Sequence, residues 1–146
     1  MTLAAKPRSL DKTASELSLA VGQLLRRLRS QANPSGLSLS QMGAMARLEQ
    51  NGPMTTADLA RAESMKPQSM GTILASLEQE GLVARQPDPA DGRQFLVGLT
   101  PKGMEERRQR GIAQRAWLVR AMSELEPAQL DALITAIPLL KRLGDA

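Results

Sequence analysis

Gln68, Ser69 and Thr72 lie close together in a stretch with no charged residue between Pro67 and Leu77. On a helix they would share one side with Ala75 and Gln79. Their chemistry is that of reading base edges. A Gln amide can pair with adenine, Ser and Thr hydroxyls can donate or accept at either base type, and the Thr methyl can touch a thymine methyl. Gly71 and Ala75 keep such a helix thin enough for its backbone to approach a groove about 12 Å wide. Lys66, just ahead, suits a phosphate contact at a helix start, where free N–H groups also favour an anion. Arg93 follows the turn signal Asp91-Gly92. An Arg on a protruding tip can enter a minor groove, whose negative potential is strongest where A·T tracts narrow it. Arg85 is a candidate ion-pair partner for Asp91 across the same hairpin. Each feature also has a plainer reading, as an exposed polar helix face or as a solvated charge beside a turn.

The flanking sequence predicts the elements that position these groups. Pro67 is pre-set for a first helical position. From there Met70, Ile73, Leu74 and Leu77 form one apolar stripe, and Gly81 stops the helix. Leu82-Val83-Ala84-Arg85 and Phe95-Leu96-Val97-Gly98-Leu99, separated by the turn-rich stretch from Gln86 to Gly92, read as a β-hairpin with a long tip. Upstream, Thr55 or Thr56 caps a short helix whose Leu59 and Ala60 face inward. Helix, turn, helix and hairpin together make a winged helix-turn-helix.

The rest of the chain reads as longer helices. Leu10, Leu17, Val21, Leu24, Leu25 and Leu28 keep helical spacing over residues 10–31, and residues 31–36 read as a loop. Ser38 opens the next helix with Gln41 as its capping-box partner, and Leu39, Met42, Met45 and Leu48 form its buried side. Asn51-Gly52-Pro53 ends it. Thr100-Pro101 starts a helix to about Ser123, with a solvated Arg-rich first half and a buried set of Ile112, Ala116, Trp117, Leu118 and Val119. A last helix carries Leu130, Leu133, Ile134, Ile137, Leu140 and Leu143, with a kink or early end expected at Pro138.

The predicted fold class is therefore mainly α with one small β-hairpin wing. Residues 1–146 read as a single regulator domain, with a winged helix-turn-helix module at 38–103 and dimerisation helices at 10–31 and 104–146. The apolar stripes of those outer helices exceed what the module can cover, so a homodimer is expected.

Composition narrows the chemistry. The sequence has no Cys and no His, which removes disulfides, thiol redox sensing, Cys/His zinc sites and His-based nucleophilic catalysis. It offers no nucleophile–base pair, metal cluster or phosphate-cradling glycine loop, so an enzyme is not expected, nor a cofactor or metal. No secretory h-region or membrane span is present, which predicts a soluble cytoplasmic protein. The net charge of +4 is compatible with nucleic acid. Basic residues concentrate in 1–31 (Lys6, Arg8, Lys12, Arg26, Arg27, Arg29) and 104–122 (Arg107, Arg108, Arg110, Arg115, Arg120). Residues 55–103 hold five basic and six acidic side chains, so the module itself is not a basic patch.

Three groups of residues resemble the MarR family of bacterial transcription regulators: Gly81-Leu82-Val83-x-Arg85, Asp88-Pro89-x-Asp91-x-Arg93 and Leu99-Thr100-x-x-Gly103. Leu37-Ser38-x-x-Gln41 and Gly52-Pro53-x-Thr55 fit as well. The resemblance implies a homodimer on a palindromic double-stranded operator, most often as a repressor. It implies that Arg93 enters the minor groove and that Asp91 holds the wing. It further implies release of DNA by a small phenolic or aromatic-acid ligand. Met42, Met45, Trp117 and Met122 are the candidate lining, with Arg47, Arg115 or Arg120 to meet a carboxylate. The lack of Tyr and His departs from many phenol-binding members, and the lack of Cys excludes the thiol-based peroxide sensor. The competing function is a winged-helix module for protein contact without DNA, supported by the near-neutral charge of residues 55–103.

Overall fold

A computed structural model describes residues 9–31, 33 and 35–146. Lys6 and Arg8 of the basic N-terminal run, and Ala32 and Pro34 of the predicted loop, lie outside the described residues. The element order is α1 (Leu10–Ser30), α2 (Leu39–Asn51), α3 (Thr56–Ala62), α4 (Pro67–Gln79), β1 (Val83–Pro87), β2 (Phe95–Leu99), α5 (Pro101–Ser123) and α6 (Pro127–Gly144). The chain gathers into two compact units: a central one, Asn33–Ile112, and a terminal one combining residues 1–32 with 113–146. Helix α5 runs through the boundary between them.

In the central unit, local chemistry sets the element ends. Ser38 and Gln41 form the reciprocal cap of α2: the Gln41 N–H donates to Ser38 Oγ at 3.1 Å, and the Ser38 N–H to Gln41 Oε1 at 2.8 Å. Thr55 Oγ1 accepts from the Asp58 N–H at the start of α3, and Pro67 occupies the first turn of α4. Gly52 and Gly81 both take φ near +75°, which L side chains rarely adopt, and so release the chain from α2 and α4. The hairpin is antiparallel with Val83 opposite Leu99 and Pro87 opposite Phe95. Gly103 lies so close to the Leu82 carbonyl that any Cβ there would collide with it.

The core of this unit joins Leu37, Met42, Ala44, Met45 and Leu48 to Leu59, Ala60, Met70, Leu74, Leu77, Leu82, Val83 and Val97. The α4 stripe is therefore inside, with Ile73 half-buried against it. Leu39 is a correction: it is 53% exposed at the first position of α2, one turn ahead of the side that packs. The expected solvated Arg-rich start of α5 needs correcting in part. Arg108 is exposed, on a surface pair with Glu105, but Arg107 is half-buried against Glu49 at 2.7 Å and Arg110 is buried.

The terminal unit is built differently. None of its described residues is buried. Ile112, at the end of the central unit, and Ala116 and Val119, all expected inside, are exposed, while Trp117 and Leu118 are half-buried. Their stripe exists, but the chain by itself does not cover it. Helix α6 continues to Gly144 through Pro138, so no early end occurs. No helix among the described residues is long and apolar enough to cross a membrane.

Candidate nucleic-acid interface

The apolar stripe of α4 dictates which side chains remain outside. With Met70, Leu74 and Leu77 buried, Gln68, Ser69, Thr72 and Ala75 are exposed on the same helix. Thr72 Oγ1 donates back to the Gln68 carbonyl at 3.2 Å. Its proton is thus engaged, and its oxygen keeps lone pairs with which to accept. Lys66 holds the N-cap position without a side-chain cap, so it is exposed beside the first free N–H groups of α4.

The hairpin tip is organised by its own acids. Asp88 Oδ1 accepts from the Ala90 N–H at 2.9 Å, and Asp91 Oδ1 from the Arg93 N–H at 3.1 Å. Both are Asx turns, which fix a short loop through local hydrogen bonds. Asp91 therefore shapes the backbone on which Arg93 is carried, and Arg93 is exposed. The expected Arg85–Asp91 pair is not formed. Arg85 Nε instead meets Glu78 Oε2 at 3.1 Å, tying β1 to the last turns of α4. The register explains this: Arg85 stands opposite Val97, in the middle of the ladder and away from the tip.

Several supporting contacts went unrecognised in the sequence. Gln41 Nε2 donates to Ser76 Oγ at 2.9 Å, so the amide that caps α2 also holds α4. Arg47 pairs with Glu63 at 3.5 Å and donates to the Ala62 carbonyl, bracing α2 against the end of α3. Met54 forms an isolated bridge with Val97, exchanging both backbone hydrogen bonds and steadying the hairpin base. Lys102 Nζ donates to the Glu80 carbonyl at 2.8 Å. The turn between α3 and α4 contains Ser64 at φ 55°, a left-handed residue that is not glycine. These ties join segments far apart in sequence, and no short motif announces them.

Electrostatics follow from the same pairings. Asp58 pairs with Arg61, Glu63 with Arg47 and Glu78 with Arg85, while Asp88 and Asp91 serve backbone N–H groups. Glu80 stands at the far, C-cap end of α4. Among the described residues, Lys66 and Arg93 have no acidic partner. A module near neutral in sum thus presents cations without acidic partners at the helix start and the wing tip.

The candidate ligand residues fall into different settings. Met42 and Met45 are buried in the core of the central unit, where packing already occupies them. In the terminal unit Arg27 lies over the Trp117 ring, 5.7 Å from its centroid, a cation–π distance. A hollow of about 630 Å³ opens there, lined by Ala20, Gln23, Leu24, Arg26, Arg27, Ser30 and Trp117. Met122 is half-buried, and Arg115 and Arg120 are exposed.

Comparison with known proteins agrees with this architecture. Residues 37–95 match the model of the MarR family. An uncharacterised HTH-type transcriptional regulator of Mycobacterium leprae is 40% identical over 134 residues, covering 92% of this chain and 94% of that one. An HTH-type transcriptional repressor of Mycobacterium tuberculosis is 36% identical over 84% of this chain and 85% of its own. The crystal structure of a candidate transcriptional regulator of Pseudomonas aeruginosa superposes with a TM-score of 0.84 at 30% identity, over 96% of this chain and 99% of that one. An exposed amide-and-hydroxyl helix face, a cationic wing and these likenesses lead to one conclusion: the chain belongs to the MarR family of winged helix-turn-helix, DNA-binding transcription regulators and is not an enzyme.

Proposed function

We propose that this regulator acts as a homodimeric repressor on a pseudo-palindromic operator and is released by a small aromatic ligand. The observation that carries the DNA reading is the pair of cations without an acidic partner, Lys66 and Arg93, flanking an uncharged exposed face in a module where Asp58, Glu63 and Glu78 are each paired with an arginine. In this reading Lys66 meets phosphate, while Gln68, Ser69 and Thr72 meet base edges. Arg93 enters the minor groove on a tip shaped by Asp91, and Arg85 holds the wing to α4 through Glu78. Residues 38–103 do the reading, and helices from 10–31 and 104–146 hold the dimer. The uncovered apolar faces of α1 and α6 support that division. The repressor sense draws on the M. tuberculosis relative, which is named a repressor. The Trp117 hollow, with Arg26 and Arg27 on its lining, supports an aromatic ligand. The protein-contact alternative loses its main support, because ion pairs take up Asp58, Glu63 and Glu78 and leave Lys66 and Arg93 without acidic partners despite the near-neutral sum.

Hydroxyl-radical footprinting on the DNA upstream of the gene tests the operator. Two symmetry-related protected half-sites about one helical turn apart, roughly 34–36 Å, are expected. A single unsymmetrical footprint, or none, would contradict the dimeric operator reading.

A further inference from the structure

Phe95 is the only phenylalanine in the sequence, and it stands on the wing, 55% exposed. Side chains alternate along a strand, so Phe95, Val97 and Leu99 share one face of the hairpin with their partners Pro87, Arg85 and Val83. Val97 and Val83 are buried, Leu99 packs against the core, and Arg85 reaches Glu78 of α4. This is therefore the face turned toward the core and the reading helix. Phe95 and Pro87 continue it beyond the edge of the core, where both are exposed. Their position is fixed by the tip. The Asp88 N–H donates to the Gln94 carbonyl at 3.0 Å and the Gln94 N–H to the Asp91 carbonyl at 3.2 Å, so the loop closes immediately beside Phe95.

A half-exposed ring outside the core gains little from the fold, and transfer of its apolar surface out of water is favourable. Held on a closed ladder, it also has little freedom left to lose on binding. Arg93 stands two residues away, exposed on the tip. The apolar surface within reach of a ring beside a minor-groove arginine is deoxyribose. We propose that Phe95, backed by Pro87, packs against deoxyribose on the wall of the minor groove that Arg93 enters. This rests on the DNA reading above and adds to it a contact that carries no charge. Apolar side chains can also wedge between base pairs and kink a duplex. Phe95 is not placed for that role, because it sits in the ladder behind the tip, with Arg93 ahead of it.

The test is fluorescence anisotropy of the full-length protein on the duplex from upstream of its gene, across a series of salt concentrations. A parallel duplex carries 2-aminopurine, which brightens on unstacking, at adenines within the protected flanks. Phe95→Ala should bind about tenfold or more weakly, through lost apolar burial. Its salt slope should match that of wild type, because no cation has been removed, whereas Arg93→Ala should flatten the slope by about one for each wing. Phe95→Leu should keep most of the affinity. The free Phe95→Ala protein should melt at the wild-type temperature, since the ring lies outside the core. Unchanged affinity in Phe95→Ala would overturn the contact while leaving DNA binding intact. A slope flattened as in Arg93→Ala would make Phe95 only a support for Arg93 and overturn direct packing. A 2-aminopurine signal that rises with wild type and is lost with Phe95→Ala would establish a wedge and overturn the deoxyribose assignment. No binding by wild type would remove the operator reading and this inference together.

Discussion

The two units use the same helical grammar to opposite ends. In the central unit the apolar stripes of α2, α3 and α4 meet one another and the hairpin, so Met45, Leu59, Met70, Leu74, Leu77, Leu82 and Val97 are essentially sealed from solvent. In the terminal unit equally regular stripes meet nothing that seals them. Leu24 and Leu25 of α1 and Ile134, Ile137, Leu140 and Leu143 of α6 remain 41–61% exposed. Burial stabilises by about 25 cal/mol per Å² of apolar surface removed from water, so the central unit carries its own stability and the terminal one does not. Amphipathic periodicity therefore reports that a face will be covered, without reporting whether the cover is the same chain or another. A second copy of the chain is the cover proposed here, and it would present two reading faces to one DNA duplex.

Breaking the terminal surface should have the largest effect. Ile137→Glu combined with Leu140→Glu should yield a monomer by light scattering, with circular dichroism of the central unit largely kept. Operator affinity should fall about 100-fold or more, because two linked half-site contacts become one. A dimeric mass for this variant would refute the division of labour. Next in size is the central core. Leu74→Ala should cost about 2–5 kcal/mol in urea denaturation, through lost burial and a residual cavity. A loss below about 1 kcal/mol would mean that the core is less closed than its burial implies.

Changes on the reading face should leave stability alone and act on DNA. Gln68→Ala should weaken operator binding by about 1–3 kcal/mol and random-DNA binding far less. Arg93→Ala should lose affinity mainly at A·T-rich flanks. Equal losses on operator and random DNA would reduce Gln68 to a structural role. The smallest effect is expected at Ser64, whose φ of 55° is left-handed. Ser64→Gly should change stability by no more than about 0.5 kcal/mol and in the stabilising direction, since relief of backbone strain and the flexibility of glycine nearly cancel. A larger loss would show that the Ser64 side chain holds the turn.

What was legible in the sequence was local. Ser38 with Gln41, Thr55, Pro67, Gly52 and Gly81 declare helix ends within a few residues, and each does so for a reason of backbone chemistry. The hairpin followed from two short apolar runs around a Pro and Asp-Gly tip. What was not legible was pairing at a distance. Arg85 and Asp91 are six residues apart and looked like partners, yet the register gives Arg85 to Glu78. The Gln41–Ser76 bond spans 35 positions, and the Met54–Val97 bridge closes a similar gap. Arg110 was hidden by its company, since it sits in a run where Arg107, Arg108 and Arg115 look alike in sequence but only one is sealed from solvent.

The most direct test of the central claim is fluorescence anisotropy of the purified protein on the DNA upstream of its gene, against a scrambled duplex of equal length at two salt concentrations. The account predicts tight binding to the upstream duplex, at least tenfold weaker binding to the scrambled one, and a steep loss of affinity with salt as phosphate-bound counterions are released and recaptured. Absence of binding to either duplex at low salt would contradict it.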